Sequence, residues 1–257
     1  MSVGRARSAP SAAGAHRLRS EPASAVVRAA GVRPGELVFD LGAGAGAITG
    51  PLAAAGARVI AVERDPRLVR RLQRRFAGRD SVRIVAADVR SIPLPHRPFR
   101  VVANIPFDVT TSLITRLLDA PALQSADLVV AAGVARALVA RRPANPATLC
   151  WSVRFSFGRG RYLPAGSFVP PPSVDAAVVQ VRRRDRPLVA TRDGRGRFVR
   201  LVETAYRRPR APWTEAAALV ITARAITAVS RERALSRSDP VTALSAEDWA
   251  ALISRAR

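Results

Sequence analysis

Three carboxylates and one tetrapeptide have the types and spacing to do chemistry. Asp40, Glu63 and Asp88 each follow a short apolar run, and Asn104-Ile105-Pro106-Phe107 follows a fourth. Asp40 opens the stretch D-L-G-A-G-A-G, whose glycines are Gly42, Gly44 and Gly46. Glycines there let a backbone approach a ligand closely, and the helix they open favours negative charge at its start. The stretch also satisfies G-x-G-x-x-A, from Gly42 to Ala47, which a dinucleotide-binding dehydrogenase would carry. Asp40 discriminates between the two. A carboxylate just ahead of the glycines is poorly placed beside a pyrophosphate. It suits a ligand bearing an ammonium group, as the methionine part of S-adenosylmethionine does. Glu63 could accept from the ribose hydroxyls of either cofactor. Asp88, in A-A-D-V, could accept from the exocyclic amine of an adenine.

Alone, Asn-Ile-Pro-Phe reads equally well as a turn, since Asn and Pro both favour one. Beside a methyl donor it reads differently. The lone pair of an adenine N6 is delocalised into the ring, so the amine is a poor nucleophile. The Asn104 amide oxygen and the Ile105 main-chain carbonyl could each accept one N6 hydrogen and aim the lone pair at the methyl group. Pro106 stiffens the loop without needing a backbone partner for itself. Phe107 could stack on a base that has left its helix. No base is needed before attack, because a sulfonium leaving group departs neutral.

The elements that must position these residues follow from periodicity. Glu36 to Leu41, Arg58 to Val62, Val82 to Val85, Phe99 to Ala103 and Leu128 to Ala131 read as buried strands. Helical stretches lie between them. Ala47 to Ala55 is one, with Pro51 bending or delaying its first turn. Pro66 to Ala77 is another, with Asp65 as N-cap and Leu68, Val69, Leu72 and Phe76 on one face. Val109 to Leu118 is a third. This alternation predicts an open, mostly parallel sheet with helices on both faces. Trp151 to Phe157 and Val174 to Val181 alternate and predict a β pair closing one sheet edge. Arg182 to Pro187 reads as a linker, and Gly196 to Tyr206, Thr214 to Val229 and Ala246 to Ala256 as a small helical domain.

Composition narrows the partners. The chain has 257 residues, 42 basic and 19 acidic, a net charge of +23, and no lysine. A GC-rich genome explains Arg in place of Lys, but not the excess over acid. Arg binds phosphate bidentately and stacks on bases, so a nucleic acid is the natural partner. Arg182, Arg183 and Arg184, with Arg207, Arg208 and Arg210, form two candidate RNA-binding clusters. Cys150 is the only cysteine, and His16 and His96 the only histidines. No zinc site, disulfide framework or Ser-His-Asp or Cys-His centre is expected from them. No apolar run approaches a membrane span. Residues 1–15 are Arg- and Ser-rich and lack an apolar signal core, which predicts a disordered basic arm and a cytoplasmic protein.

D-L-G-A-G-A-G, A-V-E-R-D, A-A-D-V and A-N-I-P-F, in that order, resemble the Erm-type 23S rRNA adenine N6-methyltransferases. The block L-P-A-G-S-F-V-P-P-P-S-V-D-A-A-V-V-Q-V-R-R-R is similar to the same family's end of the catalytic domain. The resemblance covers Arg17 to Arg184, and more weakly the helical tail. It implies a class I S-adenosylmethionine-dependent methyltransferase fold, Rossmann-like, with a mostly parallel seven-stranded sheet. The implied domains are 16–184, catalytic, and 185–257, helical and RNA-binding. The implied cofactor site is His16, Leu18, Asp40, Gly42, Gly44, Gly46, Glu63, Arg64, Asp88, Val89 and Asn104, and no metal. The implied partner is 23S rRNA, met by a monomer, and the implied outcome is macrolide, lincosamide and streptogramin B resistance. Two stretches depart from the family. Ala15-His16-Arg17-Leu18 stands where Gln-Asn-Phe-Leu is usual, and Ala131-Ala132 where a Gln and a basic residue are usual. Both suit a divergent actinobacterial-type branch. A dimethyladenosine transferase acting on small-subunit rRNA shares the same local chemistry. An NAD-dependent oxidoreductase and a non-catalytic RNA-binding protein are the rivals from other classes.

Overall fold

The computed structural model describes residues 16–106 and 109–255, so the arm expected over residues 1–15 and the predicted stacking residue Phe107 lie outside the described residues. Five strands run parallel: β2 (Leu37–Leu41), β3 (Arg58–Glu63), β4 (Val82–Ala86), β5 (Phe99–Asn104) and β6 (Leu123–Ala131). β9 (Ala176–Arg183) pairs antiparallel with both β6 and β7 (Phe155–Leu163), which closes the edge as the alternating pattern predicts. The order across the seven strands is β4-β3-β2-β5-β6-β9-β7.

The sheet is buried on both faces, and its side chains divide by period two. Val38, Val59, Ala61, Val102, Val129 and Val178 meet α1 (Ser20–Ala30), α2 (Thr49–Ala54) and α3 (Pro66–Arg75). Phe39, Leu41, Val62, Val101, Ala103, Leu128 and Val130 meet α4 (Thr110–Asp119) and α5 (Ala132–Leu138). α3 begins as its sequence predicts. Asp65 Oδ1 accepts from Arg67 N at 2.7 Å, Pro66 takes the first helical position, and Val69 and Leu72 are buried.

The chain steps from β2 outward to β3 and β4, then returns to β5 on the other side of β2. The carboxyl ends of β2 and β5 therefore diverge, and a crevice opens outside them. Asp40 lies one residue from the end of the first of these strands, and Asn104 ends the second.

A second core joins α6 (Pro146–Ser152), α7 (Arg192–Tyr206), α8 (Trp213–Ala217), α9 (Ala223–Glu232) and α10 (Ala246–Ile253) around buried Phe198, Trp213 and Trp249. Leu149 and Val153 belong to it, so the helical part draws on chain well before residue 185. Two local expectations change, and one small sheet is added. Trp151 and Ser152 finish α6, which Asn145 caps at 2.9 Å with Pro146 at its first turn, and the strand starts only at Phe155. Thr214 to Val229 is two helices, because Thr222 caps a new one. A two-stranded sheet, β1 (Arg17–Leu18) with β8 (Phe168–Val169), ties the N-terminal side of the described chain to the Pro-rich loop.

Candidate functional site

A cavity of about 820 Å³ opens at the carboxyl edge of the sheet. It is within the usual size for a cofactor site. Asp40, Gly42, Gly44, Glu63, Arg64, Asp88, Val89, Asn104, Ile105 and Pro106 all line it, and so do His16 and Leu18. The sequence scatters these residues over ninety positions, and four strand ends with β1 bring them together.

Asp40 is buried to 1% exposure, and the Thr49 hydroxyl donates to its Oδ2 at 2.6 Å. Burial pushes its carboxyl up to about 7, opposed by hydrogen bonds from Thr49 and reinforced by the charge of Glu63. No Arg pairs with it among the described residues. A buried carboxylate without a cation is costly. A ligand ammonium would supply the missing charge.

Glu63 holds the glycine loop. Its Oε2 accepts from Gly44 N at 2.8 Å, and its Oε1 from Arg64 N at 2.8 Å and Asp65 N at 2.9 Å. A carboxylate has about four acceptor positions, which leaves one here for a ribose hydroxyl. The three glycines do different work. Gly44, at φ 58°, is set by its backbone conformation, since a Cβ there would meet only the Gly42 carbonyl, at 4.0 Å. Gly42, at φ 79°, would bring a Cβ to 3.2 Å from Pro106 Cδ, so its glycine lets the cofactor loop abut the Asn-Ile-Pro-Phe loop. Gly46 departs from its expected cofactor role. It is absent from the cavity wall, and a Cβ there would meet Phe76 at 2.9 Å and Leu72 at 3.0 Å. It serves the packing of the loop on α3.

Asp88 and Val89 form the rim. Asp88 Oδ1 accepts from Arg90 N and Nε at 2.8 and 3.0 Å, and Oδ2 from Arg90 Nη2 at 2.6 Å. The Arg90 guanidinium and backbone N–H hold the Asp88 carboxyl well below the usual carboxylate range. It is therefore a fixed anion with capacity left for an exocyclic amine. Val89 is buried, and its carbonyl accepts from Arg116 Nη1 at 2.9 Å.

Asn104 ends β5. Its Nδ2 donates to the His16 carbonyl at 2.8 Å, which leaves Oδ1 as the acceptor end of the side chain. The Ile105 N–H donates to Val129 O at 3.1 Å and the Pro106 carbonyl accepts from Thr110 Oγ1 at 3.0 Å. The loop backbone is thus held at both ends. His16 resolves the departure at Ala15-His16-Arg17-Leu18. Its main-chain carbonyl orients Asn104, while its ring Nδ1 lies 3.0 Å from the Pro170 carbonyl.

Supporting residues were not foreseen from the sequence: Thr49 under Asp40, Arg75 donating to Ala45 O at 2.7 Å, and Arg116. Thr49 had a usable signal, nine residues after Asp40 and at the first position of the helix that the glycines open. The other two depend on tertiary contacts alone. Burial pushes the Cys150 thiol up to about 11, which disfavours its thiolate.

The two Arg clusters differ. Arg182 Nη2 donates to Asp127 Oδ1 at 2.8 Å, and Asp127 is buried in β6. Arg183 donates to Leu123 O and Pro121 O, and lies over the Phe155 ring at 4.9 Å. Arg184 donates to Ser152 O, Phe155 O and Glu247. These three tie the end of β9 to its neighbours, because it meets open carbonyls and the buried Asp127 carboxylate there. Arg207 and Arg210 are exposed, and Arg208 is exposed with one partner, Glu215 at 2.7 Å. Arg207→Gln with Arg210→Gln is expected to lower the slope of log K for RNA against log salt by about 0.7–0.9 per residue, with the melting temperature kept. Arg182→Gln is expected to lower the melting temperature and keep the slope, since it strands a buried charge. A salt titration beside a thermal scan of each variant checks both; a lowered slope for Arg182→Gln would restore it to the RNA side.

Comparison with known proteins now gives the setting. The family model described as ribosomal RNA adenine dimethylase matches residues 20–257. An rRNA adenine N-6-methyltransferase of Bacillus licheniformis is 31% identical over 230 residues, 88% of this chain and 79% of that protein. Ribosomal RNA small subunit methyltransferase A of a Synechococcus strain is 33% identical over 256 residues, 93% of this chain and 90% of that one. The crystal structure of the 23S rRNA methyltransferase ErmE superposes with a TM-score of 0.85 at 25% identity, covering 93% of this chain and 99% of that one.

Proposed function

The chain belongs to the ribosomal RNA adenine dimethylase family, as an S-adenosylmethionine-dependent methyltransferase acting on the N6 of an rRNA adenine, and on that premise we propose that its substrate is an adenine in the peptidyl-transferase loop of 23S rRNA. Its modification would exclude macrolide, lincosamide and streptogramin B antibiotics, and a monomer acting on RNA in the cytoplasm suffices. The observation that supports the 23S reading is the likeness to ErmE, which runs through the helical tail as well as the sheet. The Synechococcus relative keeps the small-subunit alternative in view.

The residues present fit the cofactor. Asp40 would take its ammonium, Glu63 its ribose, and Asp88 with Val89 its adenine. When bound, S-adenosylmethionine supplies an electrophilic methyl group on a sulfonium that leaves as a neutral thioether. Asn104 Oδ1 accepts one N6 hydrogen of the target, and the His16 carbonyl keeps that oxygen turned to the substrate. The Ile105 carbonyl accepts the other. The nitrogen lone pair is thereby directed along the line of attack, and the surplus proton leaves to solvent. Phe107 is proposed to stack on the extruded base, from its place in the tetrapeptide.

RNA sequence is read mainly in loops and bulges, so the substrate is expected to be protein-free 23S rRNA or its domain V fragment, and not finished 50S subunits. Tritiated S-adenosylmethionine incubated separately with 23S rRNA, 50S subunits and 30S particles tests this. Label on 30S particles and none on 23S rRNA would transfer the assignment to the small subunit while leaving the N6 chemistry in place.

A further inference from the structure

Four large apolar side chains stand out as exposed among the described residues, and three of them fall on β7, β8 and the loop from β8 to β9, along one rim of the fold: Tyr162 at 59%, Val169 at 37% and Val174 at 50%. Strand pairing relates this rim to the target side of the cavity. Val169 pairs with Arg17, beside His16, whose carbonyl holds Asn104. Tyr162 lies on β7 opposite Ala177, which lies opposite Val130, next to the Val129 that pairs with Asn104. Asn104 and Tyr162 are thus nearly level on the carboxyl edge and three strands apart, about 14 Å at ~4.8 Å per strand.

The ring of Tyr162 is not a loose surface side chain. Its hydroxyl donates to Asp175 Oδ2, while Asp175 Oδ1 accepts from Ala165 N at 2.8 Å and the Asp175 carbonyl from Ala132 N at 2.9 Å. One residue anchors the tyrosine, the turn after β7 and the start of α5. The register of β7 shifts between Arg159 and Tyr162. Such a bulge re-aims side chains at a sheet edge. Gly160 allows the strand to close on Val178, where a Cβ would stand at 2.9 Å. Arg159 and Arg161 flank it, exposed and outside any ion pair among the described residues. The stretch R-G-R-Y therefore offers two free cations and one held aromatic face on an open strand.

We propose that this rim, Tyr162 with Arg159 and Arg161, is the seat of the single-stranded RNA that flanks the target adenine, a neighbouring base stacking on Tyr162 and its phosphates meeting the two guanidinium groups. Charge complementarity favours RNA over an apolar partner, since the apolar patch is bordered by cations and Asp175, the carboxylate that holds Tyr162, is already engaged. The proposal rests on the rRNA reading above and extends it to which side of the cavity the strand leaves by.

Affinity for a single-stranded RNA carrying the target adenine, measured by fluorescence anisotropy with S-adenosylhomocysteine present, tests it apart from methyl transfer. Tyr162→Ala is expected to weaken binding about fivefold or more, and Tyr162→Phe to lose little. Arg159→Gln and Arg161→Gln are each expected to lower the salt slope by about 0.7. These positions are exposed, and a thermal scan of each variant confirms folding. Unchanged affinity in Tyr162→Ala, with methyl transfer intact in the wild type, overturns the rim and spares the rRNA reading. Lost affinity in that variant, with no rRNA methylated by the wild type, sustains the rim and sinks the reading. Weakened self-association in place of weakened RNA binding would assign the patch to a second copy of the chain and overturn the proposal.

Discussion

Asn104→Ala is expected to slow methyl transfer in single turnover by about 10²-fold or more, with affinity for S-adenosylmethionine changed far less. The side chain stands at a strand end where its two halves do different things. Nδ2 is held by the His16 carbonyl at 2.8 Å, and Oδ1 is left for the substrate amine. A ground-state amine is planar and gains little from that oxygen. As the nitrogen pyramidalises toward attack, its hydrogens become better donors, so the contact strengthens in the transition state, which is the condition for a rate effect. Asn104→Asp separates the two roles: it keeps an acceptor but loses the donor to His16, so its loss should fall between wild type and alanine. Near-normal single-turnover rates in Asn104→Ala would remove the residue from the chemistry.

The contact also shows what a sequence can and cannot disclose about this site. Asn104, Asp40, Glu63 and Asp88 were legible because each lies at or within two residues of a strand end, and parallel strands gather their ends on one edge. That inference needs only the order of elements. The role of His16 was not legible, because its contact is made by a carbonyl that every residue has. The family's usual Asn could be absent from that position without the orientation of Asn104 being lost, and only the β1–β8 pairing reveals why. Gly46 looked like its two neighbours, yet it answers to Phe76 and Leu72, which lie thirty and twenty-six positions away. The Arg clusters were alike in the sequence for a similar reason: charge is local, while the acceptor that claims it is not. Asp127, fifty-five residues from Arg182, decides that Arg182 is a structural cation. The helix starts at Thr222 and Asn145 were available as capping signals, but the apolar periodicity from Thr214 to Val229 and the alternation from Trp151 to Phe157 were the stronger patterns and concealed them.

Asp40→Asn should separate stability from cofactor binding, because the group is placed for a ligand at the expense of the free fold. Burial raises its carboxyl from 3.8 to about 7, so between those values the folded protein holds a proton that the unfolded chain has released. The sign follows from linkage: the stability contributed by this group is full below about pH 4, falls as pH rises toward 7, and is level above. Asn removes the buried charge and keeps an acceptor for the Thr49 hydroxyl. The free variant is therefore expected to melt no lower than wild type at pH 7.5 and to lose the part of the pH dependence that lies between 4 and 7. Binding should move the other way. A ligand ammonium beside Asp40 favours the carboxylate, so wild-type affinity for S-adenosylhomocysteine, which carries the same ammonium, rises with pH until about 7. Removing one partner of a buried charged pair costs at least ~2 kcal/mol, about 30-fold in affinity. Calorimetry with S-adenosylhomocysteine from pH 5.5 to 8, beside thermal scans of both proteins, gives both quantities. Wild-type affinity in Asp40→Asn would take the ammonium away from Asp40; a variant that melts well below wild type at pH 7.5 would mean the Asp40–Thr49 contact stabilises the fold more than the buried charge strains it.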